Sequence, residues 1–337
     1  MIRMITYRPG PDELSYTFGG APAVARIQPG DMLVVTTEDC FGGRVRNADD
    51  LPSRVCQFPC LNPVSGPFHV VGAAPGDTIA LHVVSITPIR SWGVSATFPH
   101  FGALTSTRNT ATLQQPLPER VWVYGVDADA GTVRYRARGS AYTVDLPLEP
   151  MLGTVGVAPA GGEVRSTIVP DVHGGNMDTP ELRPGVTLYL PVNVDGGMFA
   201  LGDGHARQGD GEVCGAGVEI ATETTLVVDV LKGMSTPLPR LESADSLMSV
   251  GSARPLEDAY RISQHDLVTW IAELTGLETL DAYQLVSQAG TAPVGNVCDP
   301  NYTMVAAIDK RFLPAATVYR GIHDRLRAAA LGTRASR

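Results

Sequence analysis

A chain of 337 residues, 44% hydrophobic and 18% charged, holds enough apolar mass for one large or two to three modest domains. Its 35 acidic side chains against 26 basic ones leave a formal net charge of -9 and no basic stripe of the kind that neutralises phosphates, which sets nucleic acid aside as a partner. With 36 Gly, 26 Pro and 6% aromatic residues, the texture is turn-rich and strand-rich, unlike that of a helical bundle.

Strands are expected after three proline-glycine turns. Pro29-Gly30 precedes a strand at 32–36, Pro75-Gly76 one at 78–86, and Pro184-Gly185 one at 186–190. Proline presets φ at the second turn position and glycine supplies the positive φ that a type II turn needs at the third. Further strands are predicted at 120–126, 131–138, 141–146, 198–201 and 213–231, the last broken or bulged near its glycines, and no strong helical period appears before residue 235.

The texture changes after Lys232. Leu267, Val268, Ile271 and Leu274 share one face of a helix over 264–274, with Ser263 as N-cap and Gly276 as stop. A second helix is predicted over 279–288, ending before Gly290, followed by a strand over 302–308. In the basic, alanine-rich tail (315–337), Val318, Ile322, Leu326 and Ala329 line one face of a peripheral helix. The fold class expected is mainly β with an α+β C-terminal region, a β-sandwich plus a small β-barrel. The expected domains are a sandwich or barrel unit (1–150), a β unit carrying the motifs described next (151–235) and an α+β unit (236–337).

The longest apolar runs, 78–89 and 225–231, are far short of a membrane span, and residues 1–10 lack a signal-like apolar segment. A soluble, cytoplasmic protein with no membrane partner is the expectation. Five cysteines, at 40, 56, 60, 214 and 298, form no even disulfide framework, so reduced thiols are expected.

Two copies of one polar constellation stand out, Asp171-x-His173-x-x-Asn176-x-Asp178 and Asp203-x-His205-x-x-Gln208-x-Asp210, in a glycine-dense run that continues to Glu212 and Cys214. Residues two apart in extended backbone face the same way, so each Asp-x-His pair projects a carboxylate and an imidazole into one space. Such donors suit zinc or another divalent ion, or hydrolytic chemistry. A third contributor is Glu38-Asp39 beside Gly42-Gly43. His82 reads as structural, and His69, His100, His265 and His323 lack acids at ligand spacing except for Asp266 and Asp324 in predicted helices, so they are left out of the site. Lys232 and Lys310 are the only lysines and both end predicted strands, which argues against Ser-Lys or Cys-Glu-Lys amide hydrolysis, and no Gly-x-Ser-x-Gly elbow appears. Two alternatives stay open: a cysteine hydrolase pairing Cys214 or Cys40 with His205 or His173, and a β protein that binds a metal or small ligand without turnover.

The chain resembles the acetamidase/formamidase family. The resemblance rests on Asp39-Cys40-Phe-Gly-Gly, Gly66-Pro-Phe with Gly72-Ala-Ala-Pro-Gly-Asp77, His173-Gly-Gly-Asn-Met-Asp178, Leu188-Tyr-Leu-Pro191 and the string from Gly202 to Cys214, together spanning about residues 30–230. It implies hydrolysis of a small carboxamide to carboxylate and ammonia, a divalent metal (zinc first, calcium or magnesium as alternatives), a small-molecule amide substrate and a homo-oligomer, commonly a dimer. The positions carried over are Asp39, His173, Asn176, Asp178, Asp203, His205, Gln208, Asp210 and Glu212. Metal ligation is assigned to His173, Asp178, Asp203 and His205, with Asp39 completing the set. Base or acid work falls to Glu212 or Asp210, and the amide or oxyanion is held by Asn176 and Gln208. The chain departs from the pattern at Arg44-Val-Arg46 and in the 91–105 loop with Trp92, Phe98, His100 and Phe101, a segment expected to line the acyl pocket.

Overall fold

A computed structural model describes residues 2–105, 115–314 and 317–334. Its centre is a nine-stranded sheet in the order Met4–Tyr7, Met32–Thr37, Thr222–Leu231, Thr78–Pro88, Thr187–Pro191, Arg240–Glu242, Ser246–Ala253, Tyr302–Asp309, Val294–Asn296. The first pair is parallel and the other neighbours run antiparallel. Strands from the beginning, middle and end of the sequence are thus hydrogen-bonded into one layer.

Both faces of this sheet are covered, which explains why its central strands read as continuous apolar runs. Side chains alternate between faces along a strand. Leu33, Val35, Ile79, Leu81, Leu188, Leu190, Leu226 and Val228 therefore point one way and pack against Ile27, Phe68, Leu152, Val155, Phe199 and Leu201 of a second sheet. Met32, Ala80, Tyr189, Val227, Ala306 and Ile308 point the other way, onto Leu267, Val268, Trp270, Ile271, Val286, Ile322 and Leu326 of the C-terminal helices. The result is a sandwich with helices on its outer face.

The second sheet has the order Gly174–Asn176, Met151–Gly156, Phe199–His205, Val64–Val70, Ala25–Ile27. A four-stranded meander (Trp92–Thr97, Arg120–Asp127, Thr132–Arg136, Thr143–Pro147) and a two-stranded pair (Thr17–Phe18 with Arg165–Ser166) complete the β structure. Every sheet of the described residues is open, so the small barrel expected from the sequence does not form. No helix among the described residues is long and apolar enough to cross a membrane.

The three proline-glycine turns form as predicted: Gly30 and Gly76 have φ of 88° and 94°, and Asp31 and Asp77 close their turns onto the carbonyls of Gln28 and Ala74 at 3.0 Å each. Two readings need correction. The 213–231 stretch is regular only over Thr222–Leu231, because residues 213–221 are drawn into a loop and short bridges around the site. The first C-terminal helix is Leu256–Thr275, 20 residues and nearly twice the length expected. Ser263 is buried inside it with its hydroxyl on the Tyr260 carbonyl at 2.9 Å, and Pro255 occupies the N-cap position. Proline tolerates a helix start because its missing N–H is not needed there. Gly276, at φ 73°, ends the helix as predicted. The second helix is Thr279–Ala289, and the tail forms a helix over Ile322–Arg334. Of that tail, residues 315–316 and 335–337 lie outside the described residues.

Candidate active site

Strand Phe199–His205 supplies the heart of the site. Leu201, Asp203 and His205 share one face, and the Asp-x-His spacing brings Asp203 Oδ1 to 3.2 Å from His205 Nε2. After His205 the chain loops out and returns: Ala206 donates to the Val218 carbonyl and Ile220 to the Gly204 carbonyl, both at 2.8 Å, which sets Glu219 across from His205. Glu219 Oε1 lies 3.1 Å from His205 Nε2. The return segment is itself pinned to the meander, where Val94 and Glu219 exchange backbone hydrogen bonds of 3.0 and 2.8 Å.

Gln208 fixes the imidazole. Its amide nitrogen donates to the carbonyls of Asp178 (2.6 Å) and Gly295 (3.0 Å), so its oxygen faces His205 Nδ1 at 2.9 Å and accepts that proton. His205 Nε2 is left to face Asp203 and Glu219. Burial alone would lower the His205 pKa, but the charges of Glu219 and Asp203 outweigh it and hold the imidazole well above its ordinary value.

Space for these groups comes from glycine. A Cβ on Gly153 would stand 2.4 Å from Asp178 Oδ1 and 2.4 Å from Asp203 Oδ2, and one on Gly217 would stand 2.5 Å from His205 Nδ1. The register of Met151–Gly156 against Phe199–His205, with Leu152 opposite Gly204 and Thr154 opposite Gly202, puts Gly153 opposite Asp203. The backbone is strained here too: Asn62, Asp178, Asp203 and Glu212 all have positive φ, between 44° and 59°. Such conformations cost on the order of 1–3 kcal/mol each and gather where function holds them.

Around His205 lie five buried carboxyls: Asp178, Asp203, Glu212, Glu219 and Asp299. Burial pushes Glu212 up to about 7, with His205 lowering and Asp203 raising it. Burial likewise pushes Glu219 up to about 8, against the pull of His205. Asp178 and Asp299 are raised well above the carboxylate range, first by burial and then by Glu212. For Asp203 burial is also the largest influence, yet His205 and the hydrogen bonds around it bring the pKa below its ordinary value. Among the described residues, neither oxygen of Asp178 nor Glu219 Oε2 has a hydrogen-bond partner. Two clusters of ligand atoms result, Cys40 with Asp203 and Glu219, and Asp178 with His205 and Glu212, each with its atoms within 4.8 Å of one another.

A cavity of about 210 Å³ opens onto this cluster, bounded by Cys40, Phe41, Leu61, Asn62, Phe98, Phe101, Ile168, Asn176, Asp203, Glu212, Gly215, Glu219 and Asp299. Asn176 donates to Asp299 Oδ2 at 2.8 Å and accepts from Asn62 at 2.7 Å and from the Thr154 hydroxyl.

A model of the acetamidase/formamidase family matches residues 19–166 and 148–308. The chain belongs to the acetamidase/formamidase family. An acetamidase structure from Yersinia enterocolitica is similar at 42% identity and a TM-score of 0.86, with 92% of this chain and 94% of that one covered. One from Bacillus halodurans is similar at 32% identity and a TM-score of 0.81, covering 91% and 98%. The formamidase of Methylophilus methylotrophus is 26% identical over 259 residues, 63% of this chain; the match spans 62% of that formamidase's length.

Within this family member, the two sequence constellations are used unequally. The second contributes Asp203, His205 and Gln208, while its Asp210 is exposed and makes no contact with the cluster. The first contributes Asn176 and Asp178, while Asp171 pairs with Arg165 at the surface. His173 is buried against Phe18, ring centroids 5.3 Å apart, outside both ligand clusters. Burial and the nearby Arg165 push it down to about 4. Asp39 is buried beneath Arg90, which pairs with it, and accepts the backbone N–H of Phe41 (3.0 Å) and Gly43 (2.9 Å). It shapes the turn that delivers Cys40 and Phe41 to the cavity. Cys214 is exposed and bonded to the Ala216 carbonyl at 3.3 Å, while both nitrogens of His205 are engaged elsewhere, so the Cys214–His205 pair does not form. Burial, reinforced by Glu219, Asp203 and Asp39, holds the Cys40 thiol well above its ordinary value, in the protonated form that is a poor nucleophile.

Sequence reasoning overlooked Glu219, Asp299, Asn62 and Cys298, whose thiol donates to Glu212 Oε2 at 3.3 Å. Glu219 had a signal, a lone acid between Val218 and Ile220 in an apolar stretch. Asp299 and Cys298 follow the strand Val294–Asn296 and had no local signal at all.

Proposed function

We propose that this chain hydrolyses linear primary amides to carboxylate and ammonia in the cavity above His205. The reading is carried by one observation: two buried carboxyls, held near 7 and near 8, border a cavity that, among the described residues, no lysine or arginine lines. Family membership points to the same chemistry.

The residues present fit a divalent cation. Five buried carboxyls gather with one imidazole, and oxygens of Asp178 and Glu219 lack hydrogen-bond partners among the described residues, leaving buried polar atoms that a cation would satisfy. Asp178, Asp203 and His205 would hold the ion, a set without Asp39 and His173 that leaves Glu212 and Glu219 for proton transfer. A divalent ion there would polarise the amide carbonyl and acidify water.

The protein's own groups handle the protons. Glu212, partly ionised at neutral pH because burial holds it near 7, takes a proton from water as the water oxygen bonds to the carbonyl carbon. Glu219, which retains its proton to higher pH, protonates the nitrogen as the C–N bond breaks, releasing ammonia. Asn62, which donates to Asn176 Oδ1 at 2.7 Å, and Asn176 lie together at the cavity edge and orient the carboxamide. His205 keeps Asp203 and Glu219 aligned, itself locked by Gln208.

The test is ammonia and carboxylate release from a panel of small amides, with metal content of the purified protein measured alongside. Turnover lost on chelation and restored by zinc is expected. Turnover untouched in metal-free protein would remove the ion from the scheme, and absence of ammonia from every amide would remove the activity itself.

A further inference from the structure

The cavity is far larger than the smallest amides require. A water molecule occupies about 30 Å³ of liquid, so a cavity of about 210 Å³ offers room for about seven atoms of that size, where formamide has three heavy atoms and acetamide four. The shape of the lining explains what the remainder is for. Asn62, Asn176 and the carboxyls serve the amide group, whereas Phe41, Leu61, Phe98, Phe101 and Ile168 present only hydrocarbon. Phe98 lies 5.8 Å from Phe41 and meets Phe101 edge-on at 5.7 Å, 87°. Phe101 is backed by Gly215, where a Cβ would stand 2.4 Å from the ring. The three rings therefore brace one another as a rigid apolar wall. Among the described residues, this wall offers no cation to an acidic acyl group and no hydrogen-bond donor to a hydroxylated one.

We infer that the preferred substrates are primary amides of uncharged, apolar acyl groups larger than acetyl, an aliphatic chain of about four or five carbons, with Phe98 and Phe101 setting the upper limit. The inference rests on the amide hydrolysis proposed above and names its substrate class.

Ammonia release by the full chain is measured on formamide, acetamide, butyramide, hexanamide and benzamide. Burying each added methylene should raise kcat/KM roughly fourfold from acetamide to butyramide, mostly through KM, and benzamide, with nine heavy atoms, should fall below butyramide. Phe98→Ala widens the cavity and should move the optimum toward hexanamide; if it does not fold, the wild-type series decides alone. A kcat/KM that is flat or falls from acetamide to butyramide overturns the inference and leaves amide hydrolysis standing. No ammonia from any of the five overturns both.

Discussion

Gly153→Ala is the sharpest test of how the site is built. The added methyl would stand 2.4 Å from both Asp178 Oδ1 and Asp203 Oδ2, roughly 1 Å inside ordinary carbon–oxygen contact. Neither side can yield cheaply. Asp203 is held by His205 at 3.2 Å and by the Thr154 hydroxyl at 3.2 Å, and Asp178 is sealed in the interior at a positive φ. Gly153 lies in strand Met151–Gly156 with no positive φ of its own, so alanine suits the backbone and the cost falls on the two carboxyls. Overpacking of this kind costs about 1–3 kcal/mol of stability. Moving reactive groups by about 1 Å costs on the order of 100-fold in rate. The expected result is a folded protein, a few degrees less stable by thermal unfolding, with kcat/KM for ammonia release down about 100-fold. Activity within threefold of wild type, at unchanged metal content, would mean that Asp178 and Asp203 do not converge on one working point.

Three further outcomes follow from the geometry. Glu212→Gln should lower kcat by about 100-fold or more and remove the rise of activity with pH through about 7, whereas Asp210→Asn, at an exposed position, should stay within twofold; equal losses in the two variants would contradict the assignment. Cys214→Ser should retain activity and resist iodoacetamide no differently in rate terms, since Cys214 stands apart from His205; a loss of tenfold or more would revive the thiol route. His82 and His323 both bond the Thr187 hydroxyl, at 2.9 and 2.8 Å, and burial, with neighbouring positive charge, holds each near 4. Between pH 6.5 and 4 the unfolded chain takes up protons that the folded chain refuses, so stability present above pH 6.5 is lost as pH falls. His82 alone accounts for about 3 kcal/mol. His82→Asn should flatten that slope in urea titrations at pH 4.5 and 7, and an unchanged slope would sink the linkage.

Much of the fold was legible because its determinants are local. The turns at Gly30 and Gly76, the strands that follow them, and the stop at Gly276 each depend on a few neighbouring residues. The longer reach of helix Leu256–Thr275 was hidden because its first two turns, with Tyr260, Arg261 and Gln264 at the surface, carry little apolar period.

The site divides along the same line. Sequence by itself grouped Asp203, His205, Gln208 and Glu212, since a two-residue spacing in a strand and a glycine-rich turn after it leave few other arrangements, but it put Asp210 with them, which the structure leaves exposed. Tertiary structure alone decided that His173 turns toward Phe18, that Asp39 is spent on Arg90, and that Glu219, Asp299 and Asn62 close the ring. Those positions come from segments up to 237 residues apart (Asn62 to Asp299), joined only by sheet register and packing. Spacing along a chain fixes direction within one strand, and it carries no information about which distant strand will face it.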